Sequence, residues 1–245
     1  MVNLTRIYTR TGDDGTTHLG DMSRTSKTDV RLQAYADANE ANAAIGVALA
    51  AGDLRDDVRA TLLRIQNDLF DVGADLCTPL QETYDYPPLR VQQEWVDELE
   101  ADCDRYLGEL EKLRSFILPG GTPGAAYLHV ATTVARRAER QAWAAIAAYG
   151  REAGSAKGEG GVNVLTATYL NRLSDLLFVL ARVANLPIGG DVLWQPGGGR
   201  AAAPEKKGAQ KKAAQEEGAQ ENGAQQKGAQ ENGAGTTKPP APAED

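Results

Sequence analysis

The chain has 245 residues and a formal net charge of −8, with 26 Lys or Arg against 34 Asp or Glu. Such a balance disfavours nucleic acid as a partner, because phosphate contacts need an excess of basic side chains. Residues 1–11 are polar, so no signal peptide is expected, and no uninterrupted apolar run approaches the ~18 residues that span a bilayer, so a cytoplasmic protein is the default expectation.

In chain order, Thr9-Arg10-Thr11-Gly12-Asp13-Asp14-Gly15-Thr16-Thr17 comes first. It is a glycine-containing loop whose backbone N–H groups suit a phosphate. From about Lys27 the pattern turns helical, with Ala34, Ala38, Ala41, Ile45, Ala48 and Leu49 at spacings of three and four. A second run takes Leu62, Ile65, Leu69, Phe70, Val72 and Leu76 as its apolar positions. Thr78 to Leu89 is a connection with Pro and Tyr. A third, more polar helix is predicted over Val91–Leu113, with Trp95, Val96, Leu99, Tyr106, Leu107 and Leu110 as its apolar positions.

Ser115-Phe116-Ile117-Leu118-Pro119-Gly120-Gly121 breaks the series as a loop with a large apolar payload. A fourth helix is predicted from about Pro123 to Tyr149, striped by Ala131, Ala135, Ala138 and Ala142 and therefore central. Within it, Arg136-Arg137-Ala138-Glu139-Arg140 places Arg136 and Arg140 one turn apart on one face. Two guanidiniums on one stripe suit bidentate binding of a polyphosphate. Gly150 to Gly161 reads as a small, charged, mobile loop, and a fifth helix spans about Val162 to Ala184. Five amphipathic helices without convincing strand pairs predict an all-α five-helix bundle over residues 1–200. Residues 201–245 repeat Gly/Ala-Ala-Gln units in a register of five, with little to bury, and read as a disordered low-complexity tail. Cys77 and Cys103 lack metal or disulfide spacing and are expected as free thiols. His18 and His129 have no ligand spacing either, so no protein metal site is assigned.

Four stretches together resemble the PduO-type ATP:cobalamin adenosyltransferases, in family order over roughly residues 3–200. They are Ile7–Thr16, Phe116–Gly121, Arg136–Arg140 and Tyr169-Leu170-Asn171-Arg172-Leu173-Ser174-Asp175. The resemblance implies a ferritin-like five-helix bundle assembled as a homotrimer, with active sites between subunits. It implies transfer of the 5′-deoxyadenosyl group of ATP to cob(I)alamin, giving adenosylcobalamin and triphosphate, with Mg²⁺ carried on the phosphates. Thr9, Arg10, Thr11, Gly12, Asp13, Gly15, Thr16, Thr17 and Lys27 match the nucleotide loop. Arg136, Arg137, Glu139, Arg140 and Asn171 match the helical half of the ATP site. Phe116 matches an aromatic that covers the lower corrin face and displaces the nucleotide-tail base, although Phe116-Ile117-Leu118 read alone is equally a core plug. Asp175, one turn beyond Asn171, joins Phe116 and Arg136 as a residue assigned to the chemistry. A flavoprotein reductase and an adenosylcobalamin-dependent mutase or dehydratase are the implied protein partners.

Two positions depart from the family. Its Val-Asp-Glu-Leu-Asn segment is here Ala38-Asn39-Glu40-Ala41-Asn42, and a helix-four arginine is here Thr132. In the family that Asp and Arg form an ion pair across the interface beside the corrin. Losing one partner strands a charge at about 3–5 kcal/mol, whereas losing both leaves an amide and a hydroxyl able to bond each other. Two readings follow: an active adenosyltransferase, with activity reduced by Asn39 and Thr132, or a weak or inactive paralogue that carries, stores or senses cobalamin. A plain helical scaffold would leave the loop and the arginines unexplained.

Overall fold

The computed structural model describes residues 8–198. A short hairpin, β1 (Thr16–His18) and β2 (Arg24–Ser26), precedes five helices: α1 (Val30–Ala51), α2 (Asp56–Leu76), α3 (Gln93–Leu107), α4 (Pro123–Tyr149) and α5 (Val164–Asn185). A 3-10 turn, Leu186–Ile188, follows α5, and the helical unit runs to Trp194. The tail expected over 201–245 lies outside the described residues.

Local chemistry sets the helix ends. Asp29 caps α1 by accepting from the Arg31 amide, Thr122 caps α4 ahead of Pro123 at its first position, and Asn163 caps α5. Gly150, at φ 76°, closes α4. α3 stops at Leu107, short of the predicted Leu113, because the chain turns at Gly108.

α4 lies along α1 on one side and α5 on the other, as its alanine stripe requires. Ala131, Ala135, Ala138, Ala142 and Ala145 are fully buried and face a matching stripe of Ala34, Ala38, Ala41 and Ala48 on α1. Side chains this small let the backbones approach, and where α1 ends a Cβ on Gly124 would sit 2.5 Å from the Gly52 carbonyl oxygen. The leucines of α5 (Leu170, Leu173, Leu176, Leu177, Leu180) supply the bulk of the core, each worth roughly 1.5–3 kcal/mol of transfer free energy. By length and composition, α5 with its 3-10 extension could cross a membrane, but 61% of that apolar window is buried inside the bundle, as befits a core helix.

Three expectations are corrected. A strand pair does exist, with Thr17 opposite Thr25 in antiparallel register. Phe70 does not face inward: it is 71% exposed, while Leu69 and Val72 take the core positions. The loop read as mobile, 150–161, is tied down, since Leu80 N–H donates to Gly161 O at 3.0 Å and Gly154 N–H to Leu80 O at 2.8 Å. Buried Arg31 adds bonds to Gly160 O (2.7 Å) and Gly161 O (3.3 Å), with Tyr149 stacked 4.5 Å from its guanidinium. Cys77 and Cys103 are free thiols.

Candidate active site

The nucleotide loop is folded by its own polar side chains. Asp14 accepts from the Thr16 amide at 3.0 Å and hydroxyl at 2.7 Å, which holds its carboxyl below the ordinary carboxylate range. Arg24, across the hairpin, pairs with Asp14 at 3.2 Å and also reaches Thr16 and the Thr11 carbonyl. Gly15 sits at φ 81°, a conformation only glycine adopts without strain, and its carbonyl accepts from Lys27 N–H at 2.9 Å. A Cβ on Gly12 would lie 3.0 Å from Lys27 Nζ, so the bare glycine leaves room for the ammonium over the turn. Thr9 and Thr11 share a hydroxyl bond, while Arg10 has φ 63° and lies 5.8 Å from the Tyr8 ring. Asp13 is exposed and Thr17 half-buried. The result is an exposed turn with a lysine above it, of the kind that holds phosphate oxygens.

The hairpin is fixed to the bundle by two carboxylates. Asp21 accepts from Ser23 N–H (2.9 Å), Gly158 N–H (2.7 Å) and Gln81 Nε2 (2.9 Å). Asp29 accepts from Thr25 Oγ1 (2.7 Å) and Tyr149 OH (2.5 Å) as well as capping α1. Burial works against both charges, but these bonds prevail and hold both carboxyls below their usual range.

A second constellation lies on α4 and α5. Arg136 and Arg140 are exposed and have no ion-pair partner among the described residues. Arg137 faces the other way, toward α1, at 3.3 Å from the buried Asp37 carboxylate and in contact with Glu40. Glu139 accepts from Asn171 Nδ2 at 3.2 Å, which brings the two helices' polar faces together. Asp175, one turn along α5 from Asn171, is held by Arg172 at 2.8 Å.

The third group is the one the resemblance ties to a corrin. Phe116 is 78% exposed, which rules out the core-plug reading. Its ring meets Trp194 edge to face, centroids 6.0 Å apart. Thr132 is buried and donates to Leu128 O at 2.9 Å. Asn39 is half-buried beside Gly73 of α2. Within one chain, therefore, the amide and hydroxyl that replace the family charges do not bond each other. One turn before Thr132, His129 is buried against Phe178 with Nε2 unpartnered, and burial lowers its pKa.

These groups are not all brought together. Tyr149, which holds the hairpin through Asp29, is about two and a half helical turns from Arg140. Among the described residues, no hydrogen bond or ion pair joins residues 9–17 to Arg136, Arg140 or Asn171. Sequence reasoning missed Arg24, Asp21, Asp29 and Trp194. The hairpin that organises the first three does carry a signal: Thr16–His18 and Arg24–Ser26 flank a five-residue connection containing Gly20-Asp21. Nothing in the sequence singled out Trp194.

A family model for cobalamin adenosyltransferase matches residues 7–184. A corrinoid adenosyltransferase of Mycobacterium tuberculosis is 60% identical over 202 residues, covering 82% of this chain and 99% of its own. A cobalamin adenosyltransferase of Cupriavidus metallidurans is 47% identical over 193 residues, covering 78% and 95%. Among solved structures, a Phe-to-Ala variant of a PduO-type ATP:corrinoid adenosyltransferase from Lactobacillus reuteri, complexed with cobalamin and ATP, superposes with a TM-score of 0.68. It is 33% identical and covers 78% of this chain and 99% of that one. The chain belongs to the cobalamin adenosyltransferase family. Within that family it is a corrinoid adenosyltransferase of the PduO type. The carrier, store or sensor reading finds no support among these relatives.

Proposed function

We propose that this adenosyltransferase moves the 5′-deoxyadenosyl group of ATP onto cob(I)alamin at a site shared by two copies of the chain. One copy contributes the Thr9–Thr17 loop and Lys27; its neighbour contributes the Arg136 face. The observation that carries this reading is that, among the described residues, no hydrogen bond or ion pair joins the exposed loop to the exposed Arg136 and Arg140 within one chain. Uncovered apolar side chains support it. Leu63 and Phe70, on one stripe of α2, are 51% and 71% exposed, and Val130 of α4 is 56% exposed. A homotrimer accommodates such a head-to-tail contact in a closed ring.

In the reaction the cobalt(I) electron pair attacks C5′ of ATP, a Co–C bond forms, and the C5′–O bond breaks with its electrons leaving on triphosphate. The corrin supplies the nucleophile, and the protein supplies position and charge. Arg136 and Arg140, with no internal partner to give up, meet the growing charge on the leaving group together with Lys27 and the loop amides. Arg137 is the exception to the matched set: pairing with Asp37 and Glu40 assigns it to α1–α4 alignment. Glu139 orients Asn171 toward the nucleotide. Phe116 takes the lower corrin face, with Asp175, Asn39 and Thr132 around it. In this reading Mg²⁺ would be carried by the phosphate oxygens of ATP and would neutralise part of their charge. Electrons for the corrin come from a separate reductase, and the product passes to an adenosylcobalamin-dependent enzyme of the cytoplasm.

Complementation tests the shared site. Gly12→Asp blocks the loop half and Arg136→Ala the helical half, and each variant alone is expected to be nearly inactive. In a randomly mixed trimer a site works only when an Arg136→Ala loop meets a Gly12→Asp helix, so equal mixing restores about one quarter of parental turnover. No recovery after co-refolding or co-expression would mean that each site is made by a single chain.

A further inference from the structure

The segment after α5 folds back beneath the loop that carries Phe116. Gly189 and Gly190, at φ 92° and 99°, turn the chain, and Gly190 N–H donates to Asn185 O at 3.0 Å. Asp191 then receives Arg182 Nε at 2.8 Å and Asn185 Nδ2 at 3.1 Å. The Arg182–Asp191 pair is buried, with both side chains under a tenth exposed. Both residues reach further: Arg182 Nη2 donates to Glu111 O at 2.9 Å, while Asn185 Nδ2 donates to Gly120 O and its Oδ1 accepts from Thr122 N–H, each at 3.0 Å. Residues 111, 120 and 122 bracket the Phe116 loop on both sides. A Cβ on Gly121 would lie 2.0 Å from Asn185 Oδ1, so the loop presses directly onto this network.

From Asp191 the chain runs antiparallel to the loop. Leu118 N–H donates to Val192 O at 2.8 Å, Trp194 N–H to Phe116 O at 2.7 Å, and Ser115 Oγ to Trp194 O at 3.1 Å. Phe116 thus has its backbone held by a two-strand bridge and its ring held edge-on by Trp194. Exposed aromatic side chains on free loops sample several rotamers; this one is braced from behind by a second ring. A tryptophan 45% exposed, beside a phenylalanine 78% exposed, contributes too little burial to be explained as core.

We propose that residues 191–194 are a strap that positions Phe116 for the corrin, with Trp194 as its contact and Arg182, Asn185 and Asp191 as its anchor. These are positioning residues, acting through Phe116 on the lower axial side of the corrin, and the inference rests on the reading of Phe116 given above. It places the end of the helical unit inside the corrin half of the site, although the family match itself ends at residue 184.

The full chain with Trp194→Ala, Trp194→Phe and Asp191→Asn tests it with two readouts. Hydrogen exchange at the Leu118 amide, without ligand, reads the strap. Steady-state turnover and the absorption spectrum of bound cob(II)alamin with ATP read its use. Trp194→Ala is expected to lower kcat about fivefold or more and to reduce the fraction of corrin with its tail base displaced, leaving KM for ATP and Tm unchanged. Trp194→Phe restores most of both, and Asp191→Asn speeds exchange at Leu118 while giving the same corrin defect. Parental kcat and spectrum in Trp194→Ala would overturn the strap alone. A fall in ATP affinity matching the fall in kcat would overturn it too, as a general loss of structure. A parent protein that neither binds nor converts the corrinoid would instead remove the proposed function.

Discussion

Arg136, Arg137 and Arg140 are nearly identical in sequence terms, yet the fold gives them different work. A helix turns about 100° per residue, so Arg137 points away from Arg136. It lands on α1, where the buried Asp37 carboxylate sits 3.3 Å away. Arg136→Ala should weaken ATP binding roughly tenfold or more, the weight of a charge-assisted hydrogen bond, and nearly abolish turnover, without moving Tm. Arg137→Ala should do the reverse: it strands a buried carboxylate at a cost of about 1–3 kcal/mol and leaves KM for ATP nearly unchanged. Isothermal titration with ATP and a thermal melt of each variant check the pair. Equal effects on ATP affinity would show that Arg137 also touches the nucleotide. Sequence spacing marked the cluster as a site but could not say which guanidinium was spent internally, because the acids that claim Arg137 lie 97 and 100 residues away.

At the scale of elements, helices were legible and the pieces between them were not. α4 begins and ends where predicted because Thr122-Pro123 and Gly150 are strong, local signals. α3 overran because a lone Gly108 in a polar run carries little weight. The hairpin escaped because strands of three residues are too short for any periodicity to register. Yet the hairpin and its two carboxylates set the shape of the nucleotide loop, so the least legible element carries half of the site. Its stability has a definite pH dependence. Asp21 and Asp29 have folded-state pKa values below the 3.8 of the unfolded chain. The unfolded state therefore binds more protons in that window, and stability rises with pH through it. Their contribution is complete above about pH 4 and lost as pH falls through the folded values. Thermal unfolding between pH 6 and pH 3 should show Tm dropping on the acid side, with a shallower drop in Asp29→Asn. Equal slopes in parent and variant would show that this carboxylate is not a stabilising clamp.

At the scale of the molecule, the bundle is an alanine-lined helix pair with a leucine-rich helix against it, and it presents its chemistry on outward faces. Such an architecture explains why Asn39 and Thr132 are tolerated: Thr132 satisfies its hydroxyl within α4, and neither residue leaves a charge unpaired. Restoring both charges, Asn39→Asp with Thr132→Arg, should tighten corrin binding or raise turnover. Thr132→Arg alone should weaken assembly, since it buries a guanidinium without its partner. Sedimentation and turnover of the single and double variants decide it, and a double variant equal to the parent in both would show that the missing pair limits nothing. Adenosyl transfer by a site that lacks this pair is read by anaerobic mixing with ATP, Mg²⁺ and chemically reduced cob(I)alamin. ATP-dependent conversion of the corrin spectrum to that of adenosylcobalamin, with one triphosphate released per corrin, is the predicted result; corrin binding without conversion would contradict it.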